Sequence, residues 1–530
     1  MYAFVKKLSS LTEPASGPAP LDYPFAESDV ARLHQIAGCA GNGEGGNAAS
    51  IDDGTWQGML MPAYFERLAA GASIFGKQQL YRDLRGGVGD GARDALTARL
   101  ALLQEDPRIE LLDAVARPLR DADCEIASLL FEEGLASAPR WAGKCWLLMV
   151  GLAVSVAAVA FSPLAWLGAL FFLFQMVAVQ ARYHAVIESW NRKRVSVQMM
   201  LRTCSLGAAA SHPALAPFAA TGADAGRINR ALQPSAMQAL SMVGAYLDWF
   251  LQANVEHYFR SVRLVARERA FLQRCFHLCA QFDADLALAR QRADFETCQA
   301  RRGAGLRFDA AVHPLIEAPD PLSIDVVNGA FVSGQNGVGK STLLRTVGLN
   351  LLTARAFGFC YARAALCPML PVVASMQSED SLLGGASLYV AELTRARELL
   401  EAAARERCVF IIDEIFRGTN HLESVSSAAA VLDELADGNL VLVSSHNLVL
   451  AGLLGHRLDA LCVSRDANGT LALAPGVLAD TNGISLLAQH GFSAQVDAKA
   501  RRVFAWLEGF MAQPAGAGDV LSAPTPARAA

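Results

Sequence analysis

The run Gly334-Gln335-Asn336-Gly337-Val338-Gly339-Lys340-Ser341 restricts this chain more than any other segment. It is a complete Walker A sequence, preceded by the strand-like Ala330-Phe331-Val332-Ser333 and followed by a helical pattern from Thr342 to Leu352. A strand that turns through closely spaced glycines into a helix can close its backbone N–H groups around an anion, because no side chain blocks the approach. The pattern assigns ATP to residues Gly334, Gln335, Asn336, Gly337, Val338, Gly339, Lys340, Ser341 and Thr342. Lys340 is expected to reach the β and γ phosphates, and the Ser341 hydroxyl to coordinate magnesium.

Downstream, Cys408-Val409-Phe410-Ile411-Ile412-Asp413-Glu414 reads as an apolar strand ending in two carboxylates, the Walker B pattern. Asp413 is expected to hold magnesium, and Glu414 to orient and polarise the attacking water. A further apolar strand, Val441-Leu442-Val443-Ser444-Ser445, delivers His446 to the carboxyl edge of the same sheet, where it could sense the γ-phosphate. Lys340, Glu414 and His446 are thus the candidate catalytic residues.

The rest of the chain divides by pattern. Residues 1–50 end in the Gly/Asn-rich run Gly41 to Asn47 and read as an arm or linker. Residues 51–140 carry apolar positions at helical spacing, among them Leu96, Leu100, Leu103, Leu112 and Val115. Between Lys144 and Arg182 there is no charged residue. A single straight helix of that length would overshoot a hydrocarbon core of about 30 Å, whereas two shorter helices turning at Ser162-Pro163 fit it. Residues 141–182 are therefore read as a transmembrane hairpin, with 145–180 in the membrane. Arg140 and Lys144 on one side, and Arg182, Arg192, Lys193 and Arg194 on the other, place both ends in the cytoplasm of a bacterial inner-membrane protein.

Helical spacing resumes over 183–302, interrupted by a loop-like Ala/Gly/Pro-rich stretch from Gly207 to Gly226. Residues 303–512 alternate short Val/Ile-rich runs with helical segments, the signature of an α/β domain. The tail, 513–530, is low-complexity. The expected fold is multidomain, α followed by α/β, with a helical core and lever, the hairpin, and a P-loop ATPase domain of the ABC type. A formal charge of −5 supplies no global basic field, so any nucleic-acid contact must come from a local patch. The 11 cysteines lack paired metal-type spacing and imply free thiols with no structural metal; Cys275 and Cys279 fit a buried helix face.

In order along the chain stand His313-Pro314-Leu315, the Walker A with Asn336, Ser387-Leu388-Tyr389-Val390-Ala391-Glu392, Asp413-Glu414-Ile415-Phe416-Arg417-Gly418-Thr419-Asn420, Ser445-His446, and Asn482-Gly483-Ile484 followed by Gly491-Phe492. With these features the sequence resembles the MutS family of ATPases from about His313 to Phe510, and more weakly over Gly76 to Leu100. The resemblance implies ATP and Mg2+ as ligands and a homodimer with composite sites. It also implies that Ser387 contacts nucleotide in trans, and that DNA, mismatched or structured, is the partner in repair. Glu392, Arg417, Thr419 and Asn420 fall where the family has structural or subunit-boundary residues. The chain departs from repair proteins in offering only the short region before Trp56 where they carry a mismatch-recognition domain, in reading Ile-Phe-Arg-Gly-Thr-Asn after Walker B, and in its apolar hairpin. These departures point to a short, divergent, membrane-anchored branch.

Two other classes compete. A transporter ATPase is disfavoured because fewer than about fifty residues separate Lys340 from Ser387, too few for the long helical subdomain such proteins insert there, and one hairpin encloses no substrate path. A scaffold that binds ATP without turnover is disfavoured by the acid at Glu414.

Overall fold

A computed structural model describes residues 25–40, 50–104, 109–132, 139, 141–235, 238, 241–376, 388–465, 471–478 and 493–510. The chain forms two compact units, the first drawn from 1–44, 69–82 and 99–290, the second from 45–68, 83–98 and 291–530.

The first unit is helical. Its main helices are Ile109–Arg120, Ala165–Ala209, Gly222–Leu232, Ala253–Arg267 and Arg269–Ala293. Apolar residues at three- and four-residue spacing give each helix one buried stripe, as in Val255, Val262 and Val265, or Leu272, Cys275, Phe276 and Cys279. The buried carboxylate of Asp283 accepts hydrogen bonds from the Ser73 N–H and hydroxyl at 2.8 and 2.6 Å. Burial pushes its pKa above the usual carboxylate range, while the Ser73 donors pull the other way.

Within the segment expected to be an arm, Glu27–Ala40 is helical. The Gly207 to Gly226 stretch is also more ordered than a loop. The long helix runs on to Ala209, Pro213–Phe218 forms a 3-10 turn with a proline at its start, and the next helix begins at Gly222. Leu215 and Phe218 are buried there, and packing of this kind outweighs weak local propensity. One described helix, Ala165–Ala209, is long and apolar enough to cross a membrane by length and composition; Trp146–Ala158 is shorter.

The second unit holds two sheets. Strands β1 (Cys298–Arg302), β2 (Leu306–Ala311), β3 (Leu322–Val326), β4 (Gly329–Gly334), β5 (Phe359–Cys360), β6 (Ala364–Cys367), β7 (Val372–Ser375), β8 (Val409–Asp413), β9 (Leu440–Ser444), β10 (Asp459–Arg465) and β11 (Leu471–Pro475) arrange as β3-β2-β6-β1-β5 and β11-β10-β4-β9-β8-β7. The larger sheet is parallel from β10 to β7, with β11 antiparallel at its edge. Every residue of β4, β8 and β9 is buried, which explains why these strands read as continuous apolar runs rather than alternating ones. The helices Lys340–Phe357, Leu388–Arg405 and His421–Ala436 belong to this unit. Phe331, Phe410, Ile412, Leu432 and Val443 share its core.

Candidate nucleotide site

In the parallel register Val332 of β4 faces Ser444 of β9, and Ser444 faces Asp413 of β8. All three strands end at the same carboxyl edge, where ligands of parallel α/β sheets bind. The glycine loop, the Asp413-Glu414 pair and the Ser445-His446 step therefore emerge side by side.

The loop after β4 bends through Gly337 at φ +74 and Gly339 at φ +113, and Gly339 caps the helix Lys340–Phe357. A left-handed cap of this kind turns the first free N–H groups of the helix toward the loop, where the helix dipole favours an anion. The Lys340 ammonium donates to the carbonyls of Gly334 at 2.9 Å and Gln335 at 3.1 Å. Burial lowers its pKa, and the nearby Asp413 and Glu414 carboxylates oppose that shift, so the two acids act electrostatically on the lysine across the strand edge. Ser341 is half-buried and Thr342 exposed at the helix start.

Asp413 is buried, and its Oδ1 accepts the Ser444 hydroxyl. Its Oδ2 is buried without a hydrogen-bond partner. A buried anionic oxygen lacking a donor is costly by about 1–3 kcal/mol or more, which a cation relieves. Together with the Ser341 hydroxyl, this is a fitting donor set for magnesium.

Glu414 and Phe416 both have left-handed backbones, at φ +56 and +58. Such strain costs on the order of 1–3 kcal/mol per residue and persists only where surroundings impose it. Here Ile415 and Phe416 are buried, and the Glu414 N–H donates to the Ser444 carbonyl at 3.0 Å. The turn holds the Glu414 carboxylate between His446, whose Nε2 lies 3.4 Å from one oxygen, and Arg417, whose Nε lies 3.5 Å from the other. His446 itself is about half exposed.

The loop after Walker B leans on the helix Leu388–Arg405. Glu392 accepts the Gly418 N–H at 3.1 Å and lies 3.6 Å from Arg417. The Thr419 hydroxyl donates to Glu423 at 2.6 Å, and Asn420 caps the helix His421–Ala436 by accepting the Glu423 N–H at 3.0 Å. Ser387, Asn482-Gly483-Ile484 and Gly491-Phe492 lie outside the described residues.

Two cavities adjoin this edge. One of about 260 Å3 beside the loop has a mixed lining, with Ile316, Leu322 and Leu471 next to His313, Asp320 and Arg465. His313 is buried, its Nδ1 accepts the Leu315 N–H at 3.3 Å, and burial, helped by Arg345, pushes its pKa down to about 4. The other, about 430 Å3, lies on the Walker B side among Gly54, Gln57, Met376, Glu392, Arg395 and Glu414. Arg395 anchors its wall through Asp52 at 2.9 Å and Glu398 at 2.7 Å. Neither Arg395 nor the 316–322 wall stands out in the sequence. The one available signal is spacing, since Arg395 lies three residues after Glu392 on the same helix.

Residues 330–508 match the family described as MutS domain V. The DNA mismatch repair protein MutS of Thermus aquaticus is 29% identical over 287 residues, covering 52% of this chain and 35% of that protein. The same-named protein of Myxococcus xanthus is 30% identical over 252 residues, covering 43% and 28%. The DNA mismatch repair protein MutS 2 of Haloarcula marismortui is 27% identical over 278 residues, covering 46% and 29%. The chain thus spans about a third of the length of these curated relatives. Domain V is the ATPase-type domain, it coincides with the larger sheet and its carboxyl edge, and over these residues the chain is similar to the MutS family.

Proposed function

We propose that this chain is a MutS-type ATPase that binds and hydrolyses ATP with magnesium, works as a homodimer with composite sites, and couples its nucleotide state to DNA. The observation that carries the ATPase reading is the convergence of Lys340, Asp413 and Glu414 at one strand edge, close enough for both acids to act on the lysine. In this reading the glycine loop and Lys340 hold the phosphates, while Asp413 Oδ2 and the Ser341 hydroxyl hold magnesium, which when bound offsets phosphate charge. Glu414 accepts a hydrogen bond from the attacking water and orients it in line. His446 fixes the Glu414 carboxylate and meets the γ-phosphate, and Ser387 of one subunit completes the site of the other.

The test compares Lys340→Ala with Glu414→Gln. The first should abolish ATP retention; the second should retain ATP and lower turnover by about 10²–10⁴-fold. Equal loss of binding in both variants contradicts the roles given. The DNA partner rests on the names of the relatives, and binding to homoduplex, mismatched and branched DNA across a salt series separates recognition from nonspecific contact and from none.

A second reading, a membrane-anchored ATP-driven switch without DNA binding, is favoured by the apolar segment between Lys144 and Arg182. The helix Trp146–Ala158 has no buried residue. Deleting Cys145 to Gln180 should move the protein from the inner-membrane to the soluble fraction, and unchanged fractionation removes this reading.

A further inference from the structure

The helices Trp146–Ala158 and Ala165–Ala209 pack against each other through small residues. A Cβ on Gly151 would stand 2.4 Å from the Phe172 ring, and one on Gly168 would stand 2.9 Å from the Ser155 hydroxyl. Close approach of this kind is how helices associate where no water drives them together. The pair is apolar over a wide arc rather than along one stripe: Trp146, Val150 and Val156 on one helix, and Trp166, Phe171, Leu173 and Phe174 on the other, are all exposed. A protein partner would cover one face only, whereas an apolar solvent covers them all.

The foot of the pair carries different chemistry. Gln180 and Asn254 exchange hydrogen bonds at 3.0 Å, and Gln252 donates to the carbonyls of Met176 at 3.4 Å and Trp249 at 2.9 Å. These contacts fix the end of the helix Ser241–Phe250 beside the long helix where its apolar stretch closes. That short helix exposes Tyr246, Trp249 and Phe250, and the Tyr246 and Phe250 rings stack at 6.3 Å. Trp141 packs edge-on against Tyr183 at 5.7 Å at the same end, and Lys144 and Arg182 are exposed there. Indole and phenol rings with flanking cations are what a headgroup layer accommodates.

Depth decides the mode of insertion. From Gln180 at the foot back to Leu164 a helix rises about 24 Å at 1.5 Å per residue, short of a hydrocarbon core of about 30 Å. The turn, moreover, has nothing to place in far headgroups: Phe161 is 93% and Leu164 73% exposed, with Ser162 and Pro163 between them. Most of its N–H groups are already paired. Those of Val159, Ala160, Phe161, Ser162, Ala165, Trp166 and Leu167 bond to carbonyls of the turn and of the helix end before it, which lowers the cost of placing this backbone in hydrocarbon.

We propose that the hairpin is a re-entrant wedge: it enters one leaflet, its turn stops inside the hydrocarbon, and the helix Ser241–Phe250 lies in the headgroup layer at its foot as a depth stop. This rests on the membrane reading above and replaces two crossings with none. The test uses the full chain carrying Ser162→Cys in bacterial membranes, treated with a membrane-impermeant maleimide and read by mass spectrometry at position 162. The expected result is protection in both spheroplasts and inverted vesicles, with labelling after detergent. Labelling in spheroplasts alone means the turn crosses and overturns the wedge while leaving the membrane reading standing. Labelling in inverted vesicles puts the turn in cytoplasmic water, and absence of the chain from the membrane fraction removes the membrane reading itself. The paired change Tyr246→Ser with Trp249→Ser, its folding checked by circular dichroism, should weaken flotation with vesicles of phosphatidylcholine and phosphatidylglycerol several-fold. Undiminished flotation overturns the depth-stop assignment.

Discussion

Ser444 donates its hydroxyl to Oδ1 of Asp413, its register partner on the neighbouring strand, and so leaves Oδ2 as the oxygen turned to other work. The bond orients a buried carboxylate that has few other means of holding its rotamer. Ser444→Ala leaves Oδ1 without this donor in a dry site, at about 1–3 kcal/mol of folding stability. The variant should melt earlier and need more magnesium for half-maximal ATP hydrolysis. A magnesium titration that overlays the parent protein's would remove the orienting role.

The two left-handed glycines of the phosphate loop should tolerate replacement unequally. At Gly337, φ +74, a Cβ meets nothing within 4 Å, so alanine costs only the backbone term of about 1–2 kcal/mol. At Gly339, φ +113, side chains are strained by the backbone, and a Cβ would also lie 3.3 Å from Leu471. Gly337→Ala should weaken ATP binding roughly tenfold, and Gly339→Ala more, as measured by titration with a fluorescent ATP analogue. The reverse order would mean that the loop rearranges on binding.

His313 gives the fold a pH dependence of known sign. Its folded pKa of about 4 lies below the ordinary 6.5, so between those values the unfolded chain binds the extra proton. The contribution is complete above pH 6.5 and is lost as pH falls toward about 4, with a limit of roughly 3 kcal/mol. His313→Asn keeps an acceptor for the Leu315 N–H and removes the titration. Thermal unfolding of this variant should show a shallower loss of stability over that interval than the parent, and parallel curves would dismiss the assignment.

What was legible in the sequence was what is local. The glycine loop, the two acids after β8 and the His446 step each sit within a few residues of the strand that carries them, so motif and geometry coincide. Arg395 meets Asp52, and Glu392 meets Gly418, only because distant segments fold together, and no spacing rule reaches that far. The strand order β3-β2-β6-β1-β5 was hidden for the same reason: β1 ends in Arg301-Arg302 and β5 has two residues, so neither registers as an apolar run. The helix Glu27–Ala40 was obscured by the Gly/Asn-rich stretch that follows it.

The contact between Glu392 and Gly418 offers the sharpest test of how the Walker B turn is held. A Cβ on Gly418 would lie 2.6 Å from the Tyr389 nitrogen, so Gly418→Ala must push the loop off the helix Leu388–Arg405. Glu392→Ala removes the acceptor for the same N–H and the carboxylate 3.6 Å from Arg417. Either change frees Arg417 to shift, and Arg417 shares Glu414 with His446. Both variants should therefore keep ATP affinity and lose turnover by about tenfold or more, the mark of an interaction that positions Glu414 rather than one that binds substrate. Because both act on one contact, the double variant should lose little more than either alone. Additive losses in turnover would show that Glu392 acts elsewhere, and a fall in ATP affinity would place this loop among the binding elements.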